Sequence, residues 1–373
     1  MARARSVPLT VLATALFLLS SIPREATAQT VRFRRGDANA DGKRDISDPV
    51  YALMYLFSNG SEPPCKEAAD SNDDGQLDIS DPIYSLGFLF VGSAPPPGPF
   101  PGCGEDSTPE GLGCASFPPC TDFPVYMNIQ VDAEQEDVQG LNRIVAILKE
   151  RGISATIYVS ADYANRNALL VTDLYTQGFE IAMHGYYTGE QLASMTYDEQ
   201  KDLLTRAKKA IEGCKPCGSY KPVVGFRPQY FSQNEDTFRV LDELGLTHNS
   251  GFKLCQLFTP GHEWDAAPYA VEGRGFSAVP ITTIPYAQDR IYICDISCLS
   301  VLKLTGAQWR DVLLTGLNQS LQNRDPLVIL LHGWCTGDTT KYDYWQPFVD
   351  LLDAAQGKVT FVSTKEFVDA FVK

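Results

Sequence analysis

The chain has 373 residues, with 46 aspartates and glutamates against 31 lysines and arginines, for a formal charge of −15. So acidic a surface repels nucleic acid and anionic membrane faces through its summed field, which excludes partners of those classes. With 44% hydrophobic residues, the length suits one small module and one domain with a sizeable core.

Residues 1–5 are basic, 7–22 are almost wholly apolar, and Ala26-Thr27-Ala28 has the small-x-small spacing that a signal peptidase reads. The expectation is a signal peptide over 1–28 and a mature chain from Gln29 that is secreted or held at the cell surface. A membrane anchor fits less well, because the run falls short of the roughly 20 residues a bilayer span needs and Pro8 interrupts its start. No later segment resembles a span. All ten cysteines lie beyond the peptide, and an oxidising destination favours disulfides over free thiols. Cys214-Lys-Pro-Cys217 has no second Cys-x-x-Cys to complete a zinc site, so a structural disulfide is expected there.

An internal repeat follows. Asp37-Ala-Asn-Ala-Asp41-Gly-Lys-Arg-Asp45-Ile-Ser-Asp48 recurs as Asp70-Ser-Asn-Asp-Asp74-Gly-Gln-Leu-Asp78-Ile-Ser-Asp81. Calcium takes six to eight hard oxygen ligands, and a twelve-residue loop supplies them from positions 1, 3, 5, 9 and 12 and from the carbonyl at 7, with glycine at 6 for the turn. The ligand sets are therefore Asp37, Asn39, Asp41, Lys43 (through its carbonyl), Asp45 and Asp48, and Asp70, Asn72, Asp74, Gln76 (through its carbonyl), Asp78 and Asp81, for two Ca²⁺. Behind each loop a proline opens a short helix with an apolar stripe: Val50, Leu53, Leu56 and Phe57 match Ile83, Leu86, Leu89 and Phe90. One such loop is often a plain acidic turn, but two in register with matched helices are not. The pair, with aspartate at position 12, resembles dockerin modules. The resemblance implies a small all-α calcium-binding module over 29–92 that folds on calcium and docks onto a cohesin-like protein partner.

Residues 93–122 turn to proline, glycine and cysteine and are expected to form a semi-rigid linker stapled by Cys103, Cys114 and Cys120. From 123 to 373 strand-like and helix-like runs alternate. Strands are expected at 125–132, 155–160, 180–184 and 327–332, and helices at 138–151, 197–212 and near 348–355. Alternation of this kind gives an α/β fold, a mostly parallel barrel or sheet, whose strand ends converge on one face. Polar groups stand at those ends: Asp132, Glu134, His184, Arg227 and His332. Two of only four histidines at strand ends are poorly explained as core fillers.

Val131-Asp132-Ala-Glu134, Met183-His184-Gly-Tyr-Tyr-Thr188, Phe226-Arg227-Pro228-Gln229-Tyr230 and Leu330-Leu331-His332-Gly333-Trp334 resemble, in order and spacing, the four main motifs of NodB-type polysaccharide deacetylases (carbohydrate esterase family 4). The resemblance implies a distorted (β/α) barrel and a divalent transition metal, zinc by expectation, held by Glu134 and His184. It makes Asp132 the general base, His332 the general acid, Arg227 the partner that keeps Asp132 ionised, and the Tyr230 backbone N–H the oxyanion donor. Tyr186 and Trp334 would contact a polysaccharide substrate. The family carries a second metal histidine four residues after the first, where this chain has Thr188, and Glu190 or His262 are the candidates to replace it. The implied activity is hydrolysis of acetyl groups, as amide or ester, from a polymeric carbohydrate. Two rivals are a degenerate domain that binds glycan without turnover and a calcium-dependent surface assembly protein.

Overall fold

The central strands are a continuous apolar run closed by a histidine and an alternating run in which Met127, Ile129 and Val131 interleave with Asn128, Gln130 and Asp132. Tyr126–Ala133 (β1) and Leu327–His332 (β10) are buried over nearly their whole length, as strands covered on both faces must be. Between them in the chain come β2 (Thr156–Val159), β3 (Glu180–Met183), β4 (Gly225–Phe226), β5 (His248–Lys253), β6 (Tyr269–Ala270), β7 (Ser277–Ile281), β8 (Thr283–Tyr286) and β9 (Asp289–Tyr292), and β11 (Thr360–Val362) follows. The structure, a computed structural model, describes residues 31–108, 111–120, 124–134, 138–213 and 222–372. The expected signal peptide and the Cys214 and Cys217 pair lie outside them.

The sheet runs β10-β1-β2-β3-β4-β5-β7-β6, parallel except for β6 at the edge, with β11 also pairing with β1. It is curled. Its ends approach where the Thr282 amide donates to the Val328 carbonyl at 3.1 Å and Cys294 bridges Leu330. This is the α/β curled sheet expected of a distorted barrel. The expected helices lie within a few residues of those observed at Val138–Glu150, Tyr197–Gly213 and Trp345–Ala355. The first buries Leu141, Ile144, Val145 and Leu148, the three-and-four spacing of one helix face. Among the described residues no helix is long and apolar enough to cross a membrane.

Ahead of the sheet lie α1 (Ser47–Phe57), α2 (Lys66–Ala69) and α3 (Ser80–Val91), and α1 and α3 each begin inside a repeat. Their apolar stripes are not core: Val50, Phe57, Ile83 and Phe90 are all exposed. The cysteine-rich stretch does not stand apart as a spacer, because Cys65–Cys114 ties it to the loops and Cys103–Cys120 closes it on itself. The expectation that disulfides dominate is corrected in the larger domain. Cys255, Cys294, Cys298 and Cys335 are free thiols, the last three buried, where they pack as small apolar side chains.

Candidate active site and repeated loops

Strand register gathers the polar strand ends. Asp132 and His332 are direct neighbours across β1 and β10, and the pairing of Met183 with Phe226 sets His184 beside Arg227. Asp132 Oδ2 lies 3.4 Å from His184 Nε2 and 3.7 Å from His332 Nε2. Its other oxygen faces Arg227 Nε at 3.0 Å, a contact not aligned for a hydrogen bond and therefore mainly Coulombic. The Arg227 guanidinium is buried over the Tyr158 ring, 4.2 Å from its centroid.

His184 defines the centre of the cluster. Its Nδ1 is 2.9 Å from the Arg227 carbonyl, which can only accept, so Nδ1 carries a proton and Nε2 is the nitrogen turned into the cluster. Nε2 meets Asp132 at 3.4 Å and the Glu134 carboxylate at 3.6 Å. Three electron-pair donors facing one another repel unless a cation or proton lies among them. Glu134, His184 and Asp132 therefore form a donor set that fits a divalent metal, with the ring oriented from behind by a backbone carbonyl. Thr188 is turned to another task, its hydroxyl donating to the Glu134 carbonyl at 2.8 Å.

Neither candidate to replace the second histidine joins this set. The Glu190 carboxylate accepts from the Tyr186 and Tyr187 amides and fastens the loop behind His184, and burial raises its pKa. His262 pairs with Asp265 at 2.7 Å and stacks on Tyr269. Tyr230 has a left-handed backbone, φ 54°, and a 68% exposed side chain. Trp334 packs edge-on to His332 with ring centres 6.1 Å apart, while Tyr186 lies against Tyr187 with the Arg206 guanidinium above it.

Two functional groups escaped sequence reasoning. Asp295, fully buried, accepts from His332 Nδ1 at 2.7 Å with one oxygen and from the His332 amide and the Thr336 hydroxyl with the other. It fixes the His332 tautomer and aims Nε2 at Asp132. Burial alone would lower the His332 pKa, but Asp295, with Asp132 and Glu134 behind it, reverses that and leaves it raised. Cys294, Asp295 and His332 also group closely enough to suggest a metal site. Asp295 is already saturated with donors, however, and burial pushes the Cys294 thiol up to about 12, so the group is better described as a hydrogen-bonded support. Gln229 is the second missed residue, donating to the His184 carbonyl at 3.2 Å and to the Tyr187 carbonyl at 2.7 Å. A polar residue after an apolar run, as in Ile293-Cys294-Asp295, was the available signal.

The repeated loops make the same bonds twice. Asp37 and Asp70, at position 1, accept the Gly42 and Gly75 amides at 3.0 and 2.9 Å. Asp48 and Asp81, at position 12, accept the Asp45 and Asp78 amides, both at 2.9 Å. Gly42 and Gly75 take φ of 85° and 79°, which side-chain-bearing residues rarely adopt. Burial pushes Asp37 up to about 7 against the lowering charge of Arg34, Asp81 up to about 7 and Asp48 up to about 8, as happens where carboxylates are enclosed together. Such a donor set fits Ca²⁺.

Residues 128–248 match the family model for polysaccharide deacetylase. Similar solved structures include a protein described as a polysaccharide deacetylase from Mycobacterium smegmatis, 17% identical with a TM-score of 0.53, covering 67% of this chain and 91% of that one. A second so described, from Pseudomonas aeruginosa PAO1, is 15% identical with a TM-score of 0.54, covering 66% and 90%. Puue allantoinase is 14% identical with a TM-score of 0.54, covering 66% and 91%. Identities this low speak for the fold alone. No curated protein matches the chain. The family match covers residues 128–248, which hold Asp132, Glu134, His184 and Arg227, and the similar structures share the curled α/β fold.

Proposed function

We propose that the chain is an exported, metal-dependent deacetylase that removes acetyl groups from a polysaccharide outside the cytoplasm. Its parts would be a signal peptide over 1–28, a dockerin-like calcium module over 29–92, a linker over 93–122 and the deacetylase domain over 123–373. The observation that carries the reading is His184 Nε2 facing the Asp132 and Glu134 carboxylates at 3.4 and 3.6 Å. A divalent cation held by Glu134 and His184, with zinc favoured by the imidazole, would supply polarisation of the acetyl carbonyl and acidification of water.

Asp132, held beside the Arg227 guanidinium, accepts the proton of the attacking water. His332, protonated on Nε2 and steadied by Asp295, donates to the departing amine or alkoxide. The Tyr230 backbone N–H faces the developing oxyanion, and Tyr186 and Trp334 line the sugar path. Thr188, where a second imidazole would stand, favours the second reading of a domain that binds glycan and turns over slowly. The exposed apolar faces of α1 and α3 suit docking onto a cohesin-like partner. Acetate release from acetylated oligosaccharides tests the first reading. It should fall at least about 1,000-fold in Asp132→Asn, the scale expected when a positioned acid–base group is lost, and wild-type protein that binds the oligosaccharide without releasing acetate would favour the second.

A further inference from the structure

The two calcium loops differ in chemistry at position 8. In the second loop it is Leu77, packed beside Ala38, Ala52 and Ala69. In the first it is Arg44, which turns away from the module. Its guanidinium donates to the Pro101 carbonyl at 2.6 Å and the Trp264 carbonyl at 3.4 Å, and lies over the Phe100 ring, 4.6 Å from the centroid. Phe100 in turn packs on Trp264 at 5.2 Å and on Phe88 of α3 at 5.4 Å, so one aromatic cluster joins module, linker and larger domain.

A second arginine repeats the connection. Arg34 donates to the carbonyl of Gly42, position 6 of the same loop, at 3.1 Å, and pairs with Asp325 at 3.7 Å. Beside it the Cys103 amide donates to the Asn323 carbonyl at 2.9 Å, and a Cβ on Gly102 would fall 2.4 Å from that of Asn323. The segment is seated without a gap, and residues 31 onward gather into one unit.

We infer that calcium in the first loop stabilises the deacetylase domain itself, with the module acting as a buttress on Trp264, Asn323 and Asp325 of the same chain. The inference rests on the calcium reading of the loops. Lys43 and Asp45, the residues flanking Arg44, are both ligands in that scheme, so the backbone that carries Arg44 is held by the ion. Without it, Asp37, Asp41, Asp45 and Asp48 repel one another, and any opening of the loop draws Arg44 and Arg34 off their partners. The exposed faces of α1 and α3 stay free, so buttressing and docking of another protein do not compete.

All four tryptophans, Trp264, Trp309, Trp334 and Trp345, belong to the larger domain, and because Trp264 touches the module through Phe88 and Phe100, emission is read in a Trp264→Phe background, where it reports that domain and not the module. The full chain, stripped of calcium, is titrated with Ca²⁺ while binding is followed by calorimetry and unfolding by emission. The expected result is a midpoint raised by about 5 °C at a hundredfold excess over Kd. In Arg44→Leu, which restores the side chain of the second loop, calcium still binds and about half or more of the rise is lost. Phe100→Ala, outside both loops, should lose it likewise. Calcium binding with no rise in wild type overturns the buttress and leaves the calcium loops standing, and a full rise in both variants overturns the contact assigned here. No binding at all overturns the calcium reading, and the buttress with it.

Discussion

Asp295 decides what His332 can do. A buried imidazole ordinarily loses its proton more easily, yet the carboxylate 2.7 Å from Nδ1 holds the ring protonated to higher pH. If His332 is the general acid, the alkaline limb of the rate profile marks its deprotonation. Asp295→Asn keeps an acceptor but removes the charge, so that limb should move to lower pH by about 1 unit, the low end of what a neighbouring charge commonly causes. An unmoved limb would assign the acid role elsewhere. Asp295 was not legible in the sequence, because the contact that gives it meaning spans 37 residues and follows no periodic pattern. His332 and His184 were legible because each follows or closes a buried apolar strand, and Asp132 because it stands at the end of the first strand, where a polar side chain needs a reason.

At the scale of elements, the runs that bury both faces were the readable ones. β1 and β10 stand within two residues of their expected bounds: β10 is an apolar run closed by His332, and β1 alternates Met127, Ile129 and Val131 with Asn128, Gln130 and Asp132, the two-residue period of a strand. β4 is two residues long and is defined by its neighbours rather than by its own pattern. The expected fate of the cysteines failed for a similar reason: Cys294, Cys298 and Cys335 answer to core packing, which cysteine counting does not register. Packing also explains how the ends of β1 and β10 are held together. A Cβ on Gly337, just past the short helix after His332, would lie 2.3 Å from the carbonyl oxygen of Gly140 in the helix that follows β1. Gly337→Ala must therefore force the two segments apart and should cost about 1–3 kcal/mol in denaturant unfolding. An unchanged midpoint would mean that the two helices shift freely.

The whole molecule joins two kinds of oxygen-rich site on one acidic chain of net charge −15: paired loops suited to a hard cation, and a cluster where an imidazole makes a softer one acceptable. The repeat announced the first, and its thirty-three-residue period needed no structure to be seen. The second was expected from the polar groups at strand ends, and the register of parallel strands brings residues 132, 184, 227 and 332 to one rim. The direct measurement is acetate release from an acetylated polysaccharide by chelator-treated protein, titrated with Zn²⁺, Co²⁺ and Mn²⁺ at fixed calcium. Release that is absent in the stripped protein, returns with one of these ions at about one equivalent and fails to return in His184→Ala is the predicted result. Release that is indifferent to the ions, or a stripped domain that binds none of them, would contradict the account.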